Sequence, residues 1–184
     1  GELARRPDIR AMFLDEARIA ARLNHANIVQ SYEVGEDGDR RFIAMEYLRG
    51  TTLATWEVGR RNVSAIVSRY AEAGRGLNAA HAAGVIHGDF KPANVMVTED
   101  DRTVVVDFGI ARINGTTEDG PAVHLAGAGT PAFMAPELFE GAPASPASDQ
   151  FALASALVRA VFVDRRGHPV QTSDDLRSAG VVGV

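Results

Sequence analysis

The chain has 184 residues and a net charge of −5, with 46% hydrophobic and 23% charged residues. These values are typical of one globular domain and argue against a broad nucleic-acid-binding surface. The chain has no cysteine and no apolar run near the roughly 18 residues that a transmembrane helix needs, so we expect no disulfide, no cysteine-ligated metal and no membrane segment within it. These features favour a cytoplasmic location.

The first third of the chain is predicted to form one helix and two strands. Apolar residues at helical spacing follow Pro7 and predict a helix that ends near Asn24, with Glu16 near its middle. Two strands, Ile28 to Val34 and Arg41 to Tyr47, are then predicted on either side of a glycine- and aspartate-rich turn.

The remainder is predicted to be mostly helical, with one further hairpin. Thr52 is expected to cap a short helix, and Gly74 and Gly76 are expected to weaken the long helix that follows it. The predicted elements are a helix from Ser64 to Ala83, strands from Val95 to Thr98 and Thr103 to Val106, a loop over 114–129, a helix from Ser148 to Val161 and a last short helix from Ser173 to Ala179. This order predicts an α+β fold.

One charged motif stands out, HGDFKPANVMV from His87 to Val97, and it is followed ten residues later by Asp107-Phe-Gly. Lys91, inside this motif, is the only lysine among the 19 basic residues. Phosphoryl transfer requires a carboxylate to orient the attacking hydroxyl, hard oxygen ligands for magnesium and a cation for the transferred phosphate. Asp89, Asn94, Asp107 and Lys91 provide these groups at a spacing that two short strands could bring into one cleft.

The motifs together resemble those of the protein kinase family, in particular the bacterial serine/threonine kinases. His87, Asp89 and Asn94 match the catalytic-loop pattern H-R-D-x-x-x-x-N, with Gly88 in place of the arginine. Further matches are the Asp-Phe-Gly motif, GTPAFMAPE from Gly129 to Glu137, SDQFALASAL from Ser148 to Leu157, FLDEARIAARLNHANIV around the αC helix of that family, and the hinge segment FIAMEYLRG from Phe42 to Gly50.

This resemblance implies a protein-kinase-like α+β fold, with a partial small lobe over residues 1–48 and a mostly helical large lobe over 49–184. It implies transfer of the ATP γ-phosphate to protein serine or threonine hydroxyls, with ATP and Mg²⁺ as cofactors. The implied roles are Asp89 as catalytic base, Lys91 on the γ-phosphate, Asn94 and Asp107 on the metal, Glu46, Leu48 and Met96 around the nucleotide, and Glu16 as the αC glutamate. Asp149 is expected to hold backbone amides of the catalytic loop.

The chain also departs from the family pattern. It begins close to the αC segment, so the Gly-rich loop is absent and Glu16 has no lysine partner, and we expect a kinase domain truncated at both ends. Gly88 weakens the case for activation by phosphorylation of the loop, where Thr116 and Thr117 are candidate sites. Two alternatives remain open: a small-molecule phosphotransferase of the aminoglycoside-kinase type, which shares His-Gly-Asp, and an inactive kinase-like regulatory module.

Overall fold

The computed structural model describes residues 23–37, 40–58, 61–108 and 131–162. The strands are β1 (Ser31–Asp37), β2 (Arg40–Met45), β3 (Gly50–Thr52), β4 (Val95–Thr98) and β5 (Thr103–Val105). The helices are α1 (Leu53–Trp56), α2 (Val63–Ala82), α3 (Pro136–Phe139) and α4 (Pro146–Phe162), with 3₁₀ turns at Pro92–Asn94 and Pro131–Phe133. The expectations for Glu16, Thr116, Thr117, the loop over 114–129 and the helix over 173–179 lie outside the described residues.

The strands form two separate antiparallel sheets. One pairs β1 with β2, and the other has the order β3-β4-β5. The prediction that the first strand starts at Ile28 is wrong, because Ile28 forms a parallel bridge with Val105 and the Val29 N–H donates to the Val105 carbonyl at 3.0 Å. Strand β3 was not predicted at all. It is three residues long and is stabilised by pairing with β4.

Local capping explains where the helices α1 and α2 begin. The Thr52 side chain accepts a hydrogen bond from the Thr55 N–H, which confirms the predicted cap of α1. Asn62 accepts from the Ala65 N–H at 2.7 Å and starts α2 one residue before the predicted Ser64. Helix α4 spans two residues more at its start, and one more at its end, than the predicted segment.

The core lies between α2, α4 and the three-stranded sheet. Helix α2 contributes an apolar stripe at three- and four-residue spacing, and the sheet contributes the buried valines of β4 and β5. Trp56 packs against the edge of this core, with the Arg61 guanidinium 4.6 Å from its ring centroid. In the part of the chain that the structure describes, no helix is both long and apolar enough to cross a bilayer.

Helix α2 is continuous through Gly74 and Gly76. Gly76 is buried, and a β-carbon added there would lie 2.5 Å from the carbonyl oxygen of Asn27. The Asn27 side chain in turn donates to the Thr103 carbonyl at 2.8 Å. Glycine at position 76 therefore lets the segment before β1 approach the backbone of α2 closely. Its low helix propensity, which the sequence already indicates, is the accompanying cost to the stability of the helix.

We expect Gly76→Ala to destabilise the chain by about 1–3 kcal/mol, because the methyl group would push against backbone atoms that cannot rotate away. Gly74→Ala is the matched control, since its β-carbon would meet only the Leu153 side chain at 3.2 Å. That control should be neutral or stabilising through its better helix propensity. Urea denaturation of both variants measures the difference, and equal midpoints for the two would contradict the close-approach explanation.

Candidate active site

The segment from Asp89 to Asn94 folds into a compact loop around the Asp89 carboxylate. The Lys91 ammonium donates to Asp89 Oδ2 at 2.7 Å. The Asn94 side-chain amide donates to the Asp89 backbone carbonyl at 2.9 Å, and the Asn94 N–H donates to the Lys91 carbonyl at 2.8 Å. All three side chains are only partly buried, so they remain accessible at the surface of the loop.

His87 is the buried support under this loop, with 1% of its surface exposed. Its Nε2 lies 3.0 Å from the Val106 carbonyl, and its Nδ1 accepts from the Asp89 N–H at 3.2 Å. Burial lowers the pKa of the His87 imidazole, against the smaller opposing effect of the nearby Asp149 carboxylate. A neutral ring that donates through Nε2 and accepts through Nδ1 satisfies both contacts.

Asp107 is held beside the loop through its neighbours. The Val106 N–H donates to the Asn94 carbonyl at 3.0 Å, and the Val106 carbonyl accepts from His87. Val106, which directly precedes Asp107, is therefore hydrogen-bonded to the loop through both of its backbone groups. Phe108 is buried, with its ring centroid 5.0 Å from that of His87. Asp107 itself is exposed and has a φ of +60°, a left-handed conformation that aspartate tolerates better than most residues.

Asp149, near the start of α4, connects the loop to the core. Its carboxylate is 1% exposed and accepts from the backbone N–H groups of His87 and Gly88, each at 2.8 Å. This is the arrangement expected from the sequence. The structure adds a third contact that the sequence did not indicate, from His81 Nε2 to Asp149 Oδ2 at 2.8 Å.

The residues expected around the nucleotide occupy different environments. The Glu46 carboxylate accepts from the Gln30 N–H at 3.1 Å and lies 3.5 Å from the Arg102 guanidinium, so it already has two protein partners. Leu48 follows β2 and is partly buried, and Met96 lies on β4 between β3 and β5. Arg102, on the turn between β4 and β5, was not singled out in the sequence because its partner is 56 residues away.

The oxygen atoms of Asn94 and Asp107 fit a hard divalent cation. The amide nitrogen of Asn94 is used by Asp89, which leaves the amide oxygen as the atom that can face a metal. Within the described ranges, no group of three or more carboxylate, histidine or cysteine side chains could hold a metal by itself.

A cleft lies between the loop that carries Asp89 and the segment that leads into α3. The side chains of Asp89 and Lys91 form one wall. The cleft also has an apolar wall that comprises Phe133, Met134, Ala135 and Leu138, and Ala152 of α4 lines it as well.

A family model and several curated relatives match the chain. The family model "Protein kinase domain" matches residues 3–177. The chain is 43% identical to the serine/threonine-protein kinase pkn3 of Myxococcus xanthus, over 78% of this chain and 28% of that protein. It is 34% identical to PknB of Mycobacterium tuberculosis, over 94% of this chain and 28% of that protein. It therefore spans little more than a quarter of the length of these two curated relatives.

Solved structures give the same result for the fold. The crystal structure of the Mycobacterium tuberculosis PknI kinase domain superimposes with a TM-score of 0.66 at 30% identity, and the match covers 92% of this chain and 64% of that one. These similarities confirm the predicted kinase-like fold. The chain belongs to the protein kinase domain family, whose members use ATP with a divalent metal ion.

Proposed function

We propose that this chain carries the phosphotransfer centre of a serine/threonine protein kinase that acts with ATP and Mg²⁺ in the cytoplasm. The observation that carries the proposal is the Asp89 carboxylate in contact with both the Lys91 ammonium and the Asn94 amide. A small-molecule phosphotransferase is not favoured, because the relatives at 34–43% identity are named serine/threonine-protein kinases.

Each side chain has a defined task in this proposal. Asp89 accepts a hydrogen bond from the substrate hydroxyl and takes its proton as the new phosphate ester bond forms, while the bond between the γ-phosphorus and the bridging oxygen of the β-phosphate breaks and ADP leaves. Lys91, already beside Asp89, neutralises charge on the transferred phosphate. Asn94 and Asp107 would provide oxygen ligands for Mg²⁺, which would supply neutralising charge next to the phosphates. The apolar wall of the cleft contacts the peptide on either side of the acceptor serine or threonine.

The nucleotide part of the proposal is tested by thermal unfolding with and without Mg·ATP. A ligand that binds only the folded state at about one hundred times its Kd stabilises by about 2.7 kcal/mol, which raises Tm by about 5–10 °C for a chain of this size. We expect this shift in the wild type and its loss in Asp107→Asn. Glu99→Gln is the matched control, because Glu99 is an exposed carboxylate in the turn between β4 and β5.

Equal shifts in the wild type and in Asp107→Asn would contradict the metal-binding role of Asp107. A cooperative transition with no shift in any variant would contradict ATP binding by this polypeptide and favour the alternative of an inactive, partner-binding module.

A further inference from the structure

Arg69, on α2, binds the turn between β4 and β5. Its guanidinium donates to the Asp101 backbone carbonyl at 2.7 Å and also to the Asp101 carboxylate. The Trp56 ring lies against it, with its centroid 5.6 Å from the guanidinium carbon, and only 12% of the Arg69 side chain is exposed. Further contacts are with the Glu72 carboxylate at 3.4 Å and the Thr103 hydroxyl at 3.5 Å. One side chain therefore joins the turn to α1 and α2.

These contacts suit arginine in particular. The planar guanidinium carries its donors on a rigid fork, so it can bind two oxygens of one residue while its face lies against an aromatic ring. A lysine ammonium is a point charge on a flexible stem and lacks this fork. Asp101 has a φ of +66°, a left-handed conformation that few residues adopt. Because Arg69 binds both the backbone and the side chain of Asp101, it stabilises the turn in this conformation.

The same turn also contacts the segment 46–49, which connects β2 to β3. The Glu99 N–H donates to the Arg49 carbonyl at 2.9 Å, a bond in which the Glu99 side chain takes no part. The Arg102 guanidinium lies 3.5 Å from the Glu46 carboxylate. The turn thus contacts both ends of the segment, and it lies between this segment and α2.

We infer that Arg69 is a positioning residue for the segment 46–49, acting through the β4–β5 turn that it binds. This inference rests on the proposed function, with ATP bound beside this segment. Loss of Arg69 would release the turn from α2, and the segment would then lose a fixed support at both of its ends. ATP would bind more weakly as a result.

The test compares three variants of the full chain. Arg69→Met removes the guanidinium and keeps an unbranched apolar side chain. Arg69→Lys keeps the charge without the fork. Arg75→Met is the matched control, because it removes the same chemical group from the same helix. Arg75 is exposed and pairs with Glu72 at 4.0 Å.

Amide hydrogen exchange by NMR is measured at Glu99 and Asp101 in the turn, and at Leu77 within α2 as an internal reference. We expect exchange at the two turn amides to be about tenfold faster in Arg69→Met and in Arg69→Lys, the effect of losing about one hydrogen bond to a charged group. Arg75→Met should resemble the wild type at all three amides.

Three results of this experiment would overturn the inference. The first is unchanged exchange at Glu99 and Asp101 in Arg69→Met. The second is an equal acceleration at Leu77, because it would show general destabilisation of the core. The third is wild-type exchange in Arg69→Lys, because charge alone would then be enough and the fork would have no role.

Nucleotide binding provides the second readout. Calorimetric titration with Mg·ATP should give a Kd about tenfold higher in Arg69→Met, in step with the exchange at the turn, and an unchanged Kd in Arg75→Met. An unchanged Kd in Arg69→Met would overturn the inference. Absence of binding in the wild type would contradict the proposed function alone, since the exchange experiment tests the link from Arg69 to the segment without ATP.

Kinetics separate positioning of the nucleotide from the chemical step, where phosphotransfer is observed. In Arg69→Met we expect the KM for ATP to rise with an unchanged kcat. The reason is that the loop that carries Asp89 is held separately, by the Asp149 carboxylate. A lowered kcat with an unchanged KM would overturn the role given to Arg69.

Discussion

Asp89→Asn is expected to reduce phosphotransfer by about 10²–10⁴-fold, the usual contribution of a positioned general base. The asparagine side chain has nearly the same shape, but it cannot take the proton of the substrate hydroxyl. It also removes the anionic partner of Lys91, whose ammonium is 2.7 Å from Asp89 Oδ2. The measurement is incorporation of the γ-phosphate into a serine- or threonine-containing protein under single-turnover conditions.

Nucleotide binding should survive this substitution, because the proposed metal ligands Asn94 and Asp107 are unchanged. The Tm shift with Mg·ATP is therefore expected to match the wild type, which separates loss of the base from loss of the site. Glu99→Gln again serves as control and should transfer phosphate at the wild-type rate. An Asp89→Asn variant that keeps more than about a tenth of the rate would show that another group acts as the base.

Asp149→Ala is expected to have the largest effect on stability, about 3 kcal/mol or more. The substitution leaves the His87 and Gly88 N–H groups and the His81 imidazole without their acceptor, and each unsatisfied buried donor costs about 1–3 kcal/mol. For a chain of this length, 3 kcal/mol corresponds to a fall in Tm of about 6–12 °C. Phosphotransfer should be lost as well, because the backbone that leads to Asp89 is released.

Two further variants test whether the loss of stability comes from the Asp149 acceptor. Asp149→Asn keeps one acceptor oxygen and should lie between the alanine variant and the wild type. Gln150→Ala, at an exposed neighbour on α4, should leave the urea midpoint unchanged. If Asp149→Ala unfolds at the wild-type urea concentration, the three hydrogen bonds do not hold the loop.

The secondary-structure predictions were correct where the interactions that stabilise an element lie within a few residues of it, and they failed where those interactions are distant in sequence. Helix α2 was predicted to within one residue at each end, and the α1 cap was predicted correctly, because apolar spacing and capping side chains act within a few residues. Strand β3 was missed, because three residues that begin with glycine carry no period of their own. The start of β1 was placed three residues too early, because Ile28 and Val29 interact with Val105 instead of continuing the hairpin.

The sequence by itself predicted the chemistry that we propose, since Asp89, Lys91, Asn94 and Asp107 lie within 19 residues and their residue types are those that phosphotransfer requires. Only the tertiary structure decided how that set is supported. His81 and Asp149 are 68 residues apart, Arg102 and Glu46 are 56 apart, and the close approach that requires Gly76 involves Asn27. No local period or cap encodes such contacts, because they form only when separate elements pack around a common core.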